Sequence, residues 1–169
     1  IVTSPEVVSR ISVPVYNEGG NFMNNDDGDC LMTTRVTDAN STGAIAAAAA
    51  DNQRKNILND EVMDKTEVIR QYKEKAGCKT VSIFPRIPYE GTGHIDMWAK
   101  FLDNKTVIVN ELRSEVVNLE WYTEEERLKA KEVQSFLEAR AKDIADIGFN
   151  VVRIPMPDIV FGYAAYYDA

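Results

Sequence analysis

The sequence predicts a mixed α/β fold built from a repeated strand-strand-helix-strand unit, and three observations carry that expectation. Short runs of β-branched and aromatic residues alternate with longer stretches of helical periodicity. The segments Ile83-Phe84-Pro85 and Arg153-Ile154-Pro155 lie 70 positions apart. Each of them follows a hairpin signal and a helix, the mark of an internal repeat.

In the first unit, Ile11-Ser12-Val13-Pro14-Val15-Tyr16 alternates in the strand manner, and Gly19-Gly20 interrupt it before Asn21-Phe22-Met23. The cluster Asn24-Asn25-Asp26-Asp27-Gly28-Asp29 predicts a tight turn, because Asp, Asn and Gly tolerate positive φ and bond their own backbone. It lacks the alternating carboxylates of a calcium loop. Cys30-Leu31-Met32-Thr33-Thr34 then reads as the returning strand. The alanine run Ala46 to Ala50 is compatible with helix and says no more. A helix is predicted from about Asp60 to Ala76, with Val62, Met63, Val68, Ile69 and Tyr72 as its apolar stripe and Gly77 as its stop; Thr80 to Pro85 follows as a buried strand.

The second unit repeats the order. A strand from about His94 to Phe101 turns at Asp103-Asn104-Lys105 and returns as Thr106-Val107-Ile108-Val109. Thr123-Glu124-Glu125-Glu126 is a capping box opening a long helix whose face is Leu128, Val133, Phe136, Leu137, Ala141 and Ile144, with Gly148 as its end. Asn150 to Pro155 closes the unit as a strand. A further unit begins near Val160, and the apolar stretch Tyr163 to Tyr167 ends without a partner. The expected boundaries are about 11–88, 89–158 and 159–169.

Composition narrows the function classes. The 169 residues include 27 acidic and 19 basic side chains for a net charge of −8, with 44% hydrophobic residues, enough for a core. An acidic balance argues against nucleic acid and fits a cationic ligand or plain solubility. No stretch reaches the roughly 18–20 apolar residues of a membrane span, and the first residues lack the basic and apolar segments of a signal peptide. Cys30 and Cys78 are too few for a disulfide framework and, with one histidine, for a four-ligand zinc site, so both are expected to be packing residues. The redox compartment stays open.

On a strand, His94, Asp96 and Trp98 project to one side and Ile95, Met97, Ala99 and Phe101 to the other. Spacing puts His94 and Asp96 about 6–7 Å apart, suited to gripping different parts of one small ligand; a solvated strand face is the plainer alternative. Glu18, ahead of two glycines, is a second candidate carboxylate. If the two units share a centre, Glu18 and His94 hold equivalent positions and both face it.

Glu18-Gly19-Gly20-Asn21-Phe22 with its Asp-Gly turn, and Gly91-Thr92-Gly93-His94-Ile95-Asp96-Met97-Trp98-Ala99-Lys100-Phe101 with the Val-Ile-Val strand after it, resemble the guanidine-modifying penteins, most closely agmatine deiminases and the bacterial peptidyl-arginine deiminases. The resemblance runs from about Ser12 to Pro157. It implies an α/β-propeller domain of five such modules, of which this chain holds about two, and a hydrolase that deiminates a guanidino group without a cofactor or metal. It implies His94 as general acid/base, Asp96 as the carboxylate gripping the guanidinium, Glu18 as the carboxylate that orients His94, and Asn21 and Trp98 beside Asp96 in the substrate pocket. The family's cysteine nucleophile lies in a Gly-rich segment of the last module that nothing here matches, and its first guanidinium-binding Asp would precede Ile1. The partners implied are a cationic guanidino substrate or an arginyl peptide and the rest of the pentein domain, with no nucleic acid and no membrane; the compartment is cytoplasmic for an agmatine deiminase and extracellular for a peptidyl-arginine deiminase. The alternative is a non-catalytic pentein-like binding or scaffold module.

Overall fold

The computed structural model describes residues 13–43 and 62–157. Two three-stranded sheets form there, each with one antiparallel and one parallel pairing. In the first, β1 (Met23–Asn24) runs antiparallel to β2 (Asp29–Thr33), with Met23 opposite Leu31, and β2 runs parallel to β3 (Thr80–Phe84), with Cys30 opposite Val81. Between β2 and β3 the chain passes through α1 (Arg35–Ala39) and α2 (Lys65–Lys75). The second sheet repeats the order with β4 (Ala99–Phe101), β5 (Thr106–Glu111), α3 (Ser114–Val117), α4 (Glu124–Asp146) and β6 (Asn150–Pro155). There Ala99 faces Val109 across the hairpin and Ile108 faces Val152 across the parallel pair. A helical crossover between parallel neighbours is what that strand direction requires.

A single turn of 3-10 helix introduces each hairpin, Gly19–Asn21 before β1 and Ile95–Met97 before β4. This corrects the strand expected over residues 94–101. The Trp98 amide donates to the Ile95 carbonyl at 3.1 Å and closes a three-residue turn, so the side chains do not alternate: Ile95 and Trp98 are wholly buried and Asp96 and Met97 exposed. The strand expected before Glu18 is also absent over Val13–Tyr16. Tyr16 instead pairs with the side chain of Asn40, its amide donating to Oδ1 at 2.9 Å and its carbonyl accepting from Nδ2 at 2.7 Å. An asparagine amide here supplies the bonds that a neighbouring strand would give. Ile11 and Ser12 lie outside the described residues.

The apolar run Cys30-Leu31-Met32 is explained by burial of β2 on both faces. Leu31 joins Phe84, Trp98 and the α4 side chains in the larger core; Cys30 and Met32 point the other way, toward Val36, Val68 and Tyr72. Trp98 meets Phe84 of the first sheet and Phe136 of α4 edge-on, at 6.0 and 5.6 Å between ring centres. Those contacts weld the two units together.

Both long helices are displaced from their expected faces or starts. The Asp64 side chain accepts from the Glu67 amide at 2.8 Å and caps α2, which therefore begins later than Asp60; Val62 is exposed and Met63 is buried ahead of the helix. Gly77, at φ 78°, ends it as expected. The alanine run lies outside the described residues, as does the further unit expected from Val160. In α4 the capping box is present, Thr123 Oγ1 accepting from the Glu126 amide at 3.2 Å while Glu126 accepts from the Thr123 amide at 2.8 Å. Leu128 is 62% exposed, because Ala130, Val133, Leu137, Ala141 and Ile144 form the inward stripe.

Cys30 and Cys78 form a disulfide, with Cα atoms 5.8 Å apart and a separation of 48 positions in sequence. This corrects the expectation that both are packing residues: two cysteines are too few for a framework but enough for one bridge. The bond ties β2 to the turn after α2, and both cysteines are buried. Loss of a bridge closing a loop of this size costs about 2–4 kcal/mol. Cys30→Ala with Cys78→Ala is therefore expected to lower the denaturant midpoint markedly, and peptide mapping should find Cys30 and Cys78 unlabelled by a thiol reagent until the protein is reduced; rapid alkylation of either one without reductant would contradict the pairing.

Candidate active site

Glu18 and His94 occupy the same place in their units. Each is the residue before the 3-10 turn, with extended backbone at φ −101°, ψ 148° and φ −80°, ψ 150°. The two turns lie against each other, and His94 Nε2 hydrogen-bonds Glu18 Oε2. Both side chains are sheltered, His94 at 17% and Glu18 at 28% exposure.

Buried polar side chains set this approach. Asn21 is wholly buried, and its Oδ1 accepts from the Thr33 amide at 2.9 Å and lies 2.8 Å from the Thr33 hydroxyl. The same hydroxyl reaches the Gly93 carbonyl, which fixes the residue before His94 to the end of β2. On the other side, Glu90 accepts from the amides of Thr92 and Gly93 at 2.9 and 2.6 Å. Gly93 itself sits at φ 69°, a conformation suited to glycine.

The second oxygen of Glu18 is held as well: Oε1 accepts from Arg35 Nη2 at 3.0 Å and from the Tyr16 hydroxyl at 3.4 Å. Burial alone would push the Glu18 carboxyl up, but the hydrogen bonds from His94 and Arg35 and the charge of Arg35 outweigh it, leaving the carboxyl below its ordinary value. An ionised carboxylate only accepts, so the ring hydrogen facing it resides on Nε2. That leaves Nδ1 for chemistry.

Nδ1 faces Gly20. A Cβ built on Gly20 would lie 2.5 Å from His94 Nδ1 and 2.7 Å from an oxygen of Asp96, so only glycine permits these groups to stand where they do. Asp96 is exposed and makes no hydrogen bond or ion pair among the described residues. The structure thus brings Glu18, His94 and Asp96 together around a missing side chain: an oriented imidazole beside an unpaired carboxylate. A cation with N–H donors fits that pair.

Asn21 and Trp98 are placed elsewhere. The amide of Asn21 is spent on Thr33 and on Asn17 Oδ1, 3.1 Å from its Nδ2. Trp98 has no exposed surface and packs in the core. Arg35, which follows β2, carries no spacing signal in the sequence, and Gly20 reads there as free backbone beside Glu18 with no hint that it faces His94 and Asp96. Cavities of about 330 and 520 Å³ are lined by other residues, among them Asp29 and Lys105 in one and Ile69 and Phe84 in the other. Among the described residues no group of three or more His, Cys, Asp and Glu side chains could hold a metal ion.

The family model of the Porphyromonas-type peptidyl-arginine deiminases matches residues 2–168. Similar solved structures include agmatine deiminase of C. jejuni, 19% identical, covering 88% of this chain and 35% of that one with a TM-score of 0.54. A Cys-to-Ser variant of that enzyme with substrate bound is 21% identical, covering 87% and 36% at a TM-score of 0.50. The putative arginine deiminase from Porphyromonas gingivalis is 20% identical, covering 87% and 37% at 0.54. These likenesses establish a shared fold, and the chain spans little more than a third of each solved relative. No curated protein sequence matches it.

The lowered Glu18 carboxyl sets a pH dependence. Its contribution to stability is present above the ordinary value of 4.5 and is lost as pH falls through the depressed value. The stability advantage of the native protein over Glu18→Gln, read from denaturant midpoints, should shrink between about pH 5 and about pH 3; an advantage that grows on acidification would contradict the pairing. Gly20→Ala should cost about 1–3 kcal/mol, because the His94 ring is held by Glu18 and has no room to yield.

Proposed function

Since the chain belongs to the Porphyromonas-type peptidyl-arginine deiminase family, we propose that it is the part of a guanidino-group hydrolase that carries the general acid/base and one substrate carboxylate. The observation that carries this reading is the unpaired Asp96 carboxylate standing with His94 Nδ1 around Gly20, with Glu18 behind the ring. In this reading the two repeated sheets are modules, about 11–88 and 89–158, of a five-module pentein whose inner turns line a central site, and residues 159–169 open the next module.

The chemistry follows from the groups. Asp96 accepts from the guanidinium N–H fork and holds the planar cation in place. A thiolate from another part of the full-length protein attacks the guanidinium carbon; His94 gives a proton to the departing nitrogen, which leaves as ammonia, and a thiouronium remains on sulfur. Water then adds to that carbon and His94 takes one of its protons; the thiolate departs as the remaining hydroxyl proton is lost to solvent, where it ends on ammonia as ammonium, and a ureido product is left. Glu18 holds the ring at Nε2 throughout. The bond between the two cysteines of this chain supports a nucleophile supplied from elsewhere in the protein.

That disulfide also favours one substrate class. Disulfides persist in oxidising compartments, which fits the secreted, peptidyl-arginine form of this reading better than the cytoplasmic, agmatine form. A second reading, a binding or scaffold module, draws on the same joined cysteines, which leave this chain without a thiol of its own.

Ureido-product formation by the full-length protein, measured with an arginyl peptide, free arginine and agmatine, separates these readings. The arginyl peptide should be turned over fastest; no turnover of any of them points to the scaffold. His94→Gln should lower kcat by about 10²–10⁴ with a smaller effect on KM, whereas Asp96→Asn should raise KM and lower kcat together. Near-native turnover in His94→Gln would remove the histidine from the mechanism.

A further inference from the structure

We propose that Arg35 is a positioning residue, which clamps Glu18 so that the carboxylate presents one oxygen to His94 and keeps the ring aimed at Asp96. The kinetic part of this inference rests on the deiminase reading of the site; the geometric part does not.

Arg35 is well placed to act as a fixed point. It is the first residue of α1, two positions beyond the end of β2, and two bonds hold the chain leading into it: its own amide donates to Thr33 Oγ1 at 3.2 Å, and the Thr34 amide donates to the Phe84 carbonyl at 2.8 Å. From this anchored stem the guanidinium reaches back to Glu18 Oε1 at 3.0 Å. Glu18, by contrast, sits in irregular chain just ahead of a one-turn helix, and its side chain makes no cap bond there. A carboxylate on such a segment has free torsions, and one bond from an imidazole leaves it able to swing. A second bond on the opposite oxygen, from a cation whose chain is bonded to β2 and β3, restricts that freedom. The charged and titratable groups facing Glu18 are Arg35 from α1, Tyr16 from its own segment and His94 from the second hairpin, with Asp96 across Gly20. Arg35 contributes the positive charge of this set at every working pH.

Two consequences separate a positioning role from a plain surface ion pair. The ring N–H of His94 that is bonded to Glu18 should be shielded from exchange only while Glu18 is held still. Loss of the Arg35 charge should also let Glu18 take up a proton at higher pH, moving the acid limb of the rate profile upward.

The test uses the full-length protein with Arg35→Gln, Arg35→Lys, Glu18→Gln and Arg35→Gln/Glu18→Gln, each first shown to be folded by circular dichroism. The His94 Nε2–H resonance, assigned by its loss in His94→Gln, should be observable in the native protein, broadened in Arg35→Gln and absent in Glu18→Gln. With guanidino substrate, Arg35→Gln should lower kcat on the order of 10–100-fold with a smaller change in KM and an upward shift of the acid limb. Arg35→Lys should restore the limb, and Arg35→Gln should cost little more once Glu18→Gln is present. A folded Arg35→Gln with an unaltered Nε2–H resonance overturns the proposal, as does an undiminished Arg35→Gln loss in the Glu18→Gln background. If no guanidino substrate is turned over yet the resonance still depends on Arg35, the clamp stands and the deiminase reading falls.

Discussion

The approach of two short turns depends on one wholly buried side chain, Asn21. A polar amide without exposed surface is costly unless its bonds are made inside the protein. Asn21 makes them to Thr33 and Asn17, and Thr33 carries the connection on to Gly93. The Thr33 hydroxyl has one proton and two acceptors within reach, Asn21 Oδ1 and the Gly93 carbonyl, so the unit is a shared bridge and not two independent bonds. Glu18 lies three residues before Asn21 and His94 follows Gly93, so this bridge sets the distance between them. A second contact joins the hairpin tips, where Asn25 Nδ2 donates to the Asn104 carbonyl at 3.1 Å and the Asp26 amide to Asn104 Oδ1 at 3.0 Å.

Around that frame the charges divide unequally. Glu18 is saturated, with a cation on one oxygen and an imidazole on the other, and stays ionised for that reason. Asp96 has neither. One carboxylate is committed to the protein and the other is left for something that arrives from outside, although both belong to the same small cluster. Gly20 keeps the cluster from filling itself, since any side chain there would occupy the space between His94 and Asp96.

Much of this was legible in the sequence. Strong local signals survived folding: the Thr123 capping box, the glycine stops at 77 and 148, both turns, and the strand Asn150–Pro155 are where pattern places them. The repeat was visible in the 70-residue offset, and its topology is present in both sheets. What failed were readings where a tertiary contact replaces a local rule. Asn40 stands in for a strand beside Tyr16, and a three-residue turn replaces the alternation around Asp96, burying Trp98 and Ile95 together. Spacing assigns Glu18 and His94 to a shared centre, and there they meet, with Asp96 beside His94 across Gly20. Arg35 was invisible, because nothing near it in sequence reveals that the chain folds back to Glu18.

The bridge between Cys30 and Cys78 changes what breakage of the chain means. Residues 31–77 form a closed covalent loop, so a peptide bond cut anywhere within it leaves both products attached to each other. Such a nick would be silent on a non-reducing gel and would appear as two fragments only after reduction. The end of β2, with Thr33, and the start of α1 lie within this loop; the Asn21 bridge and Arg35 are therefore held from both ends, and a cut between α1 and α2 would leave the site's scaffold tethered.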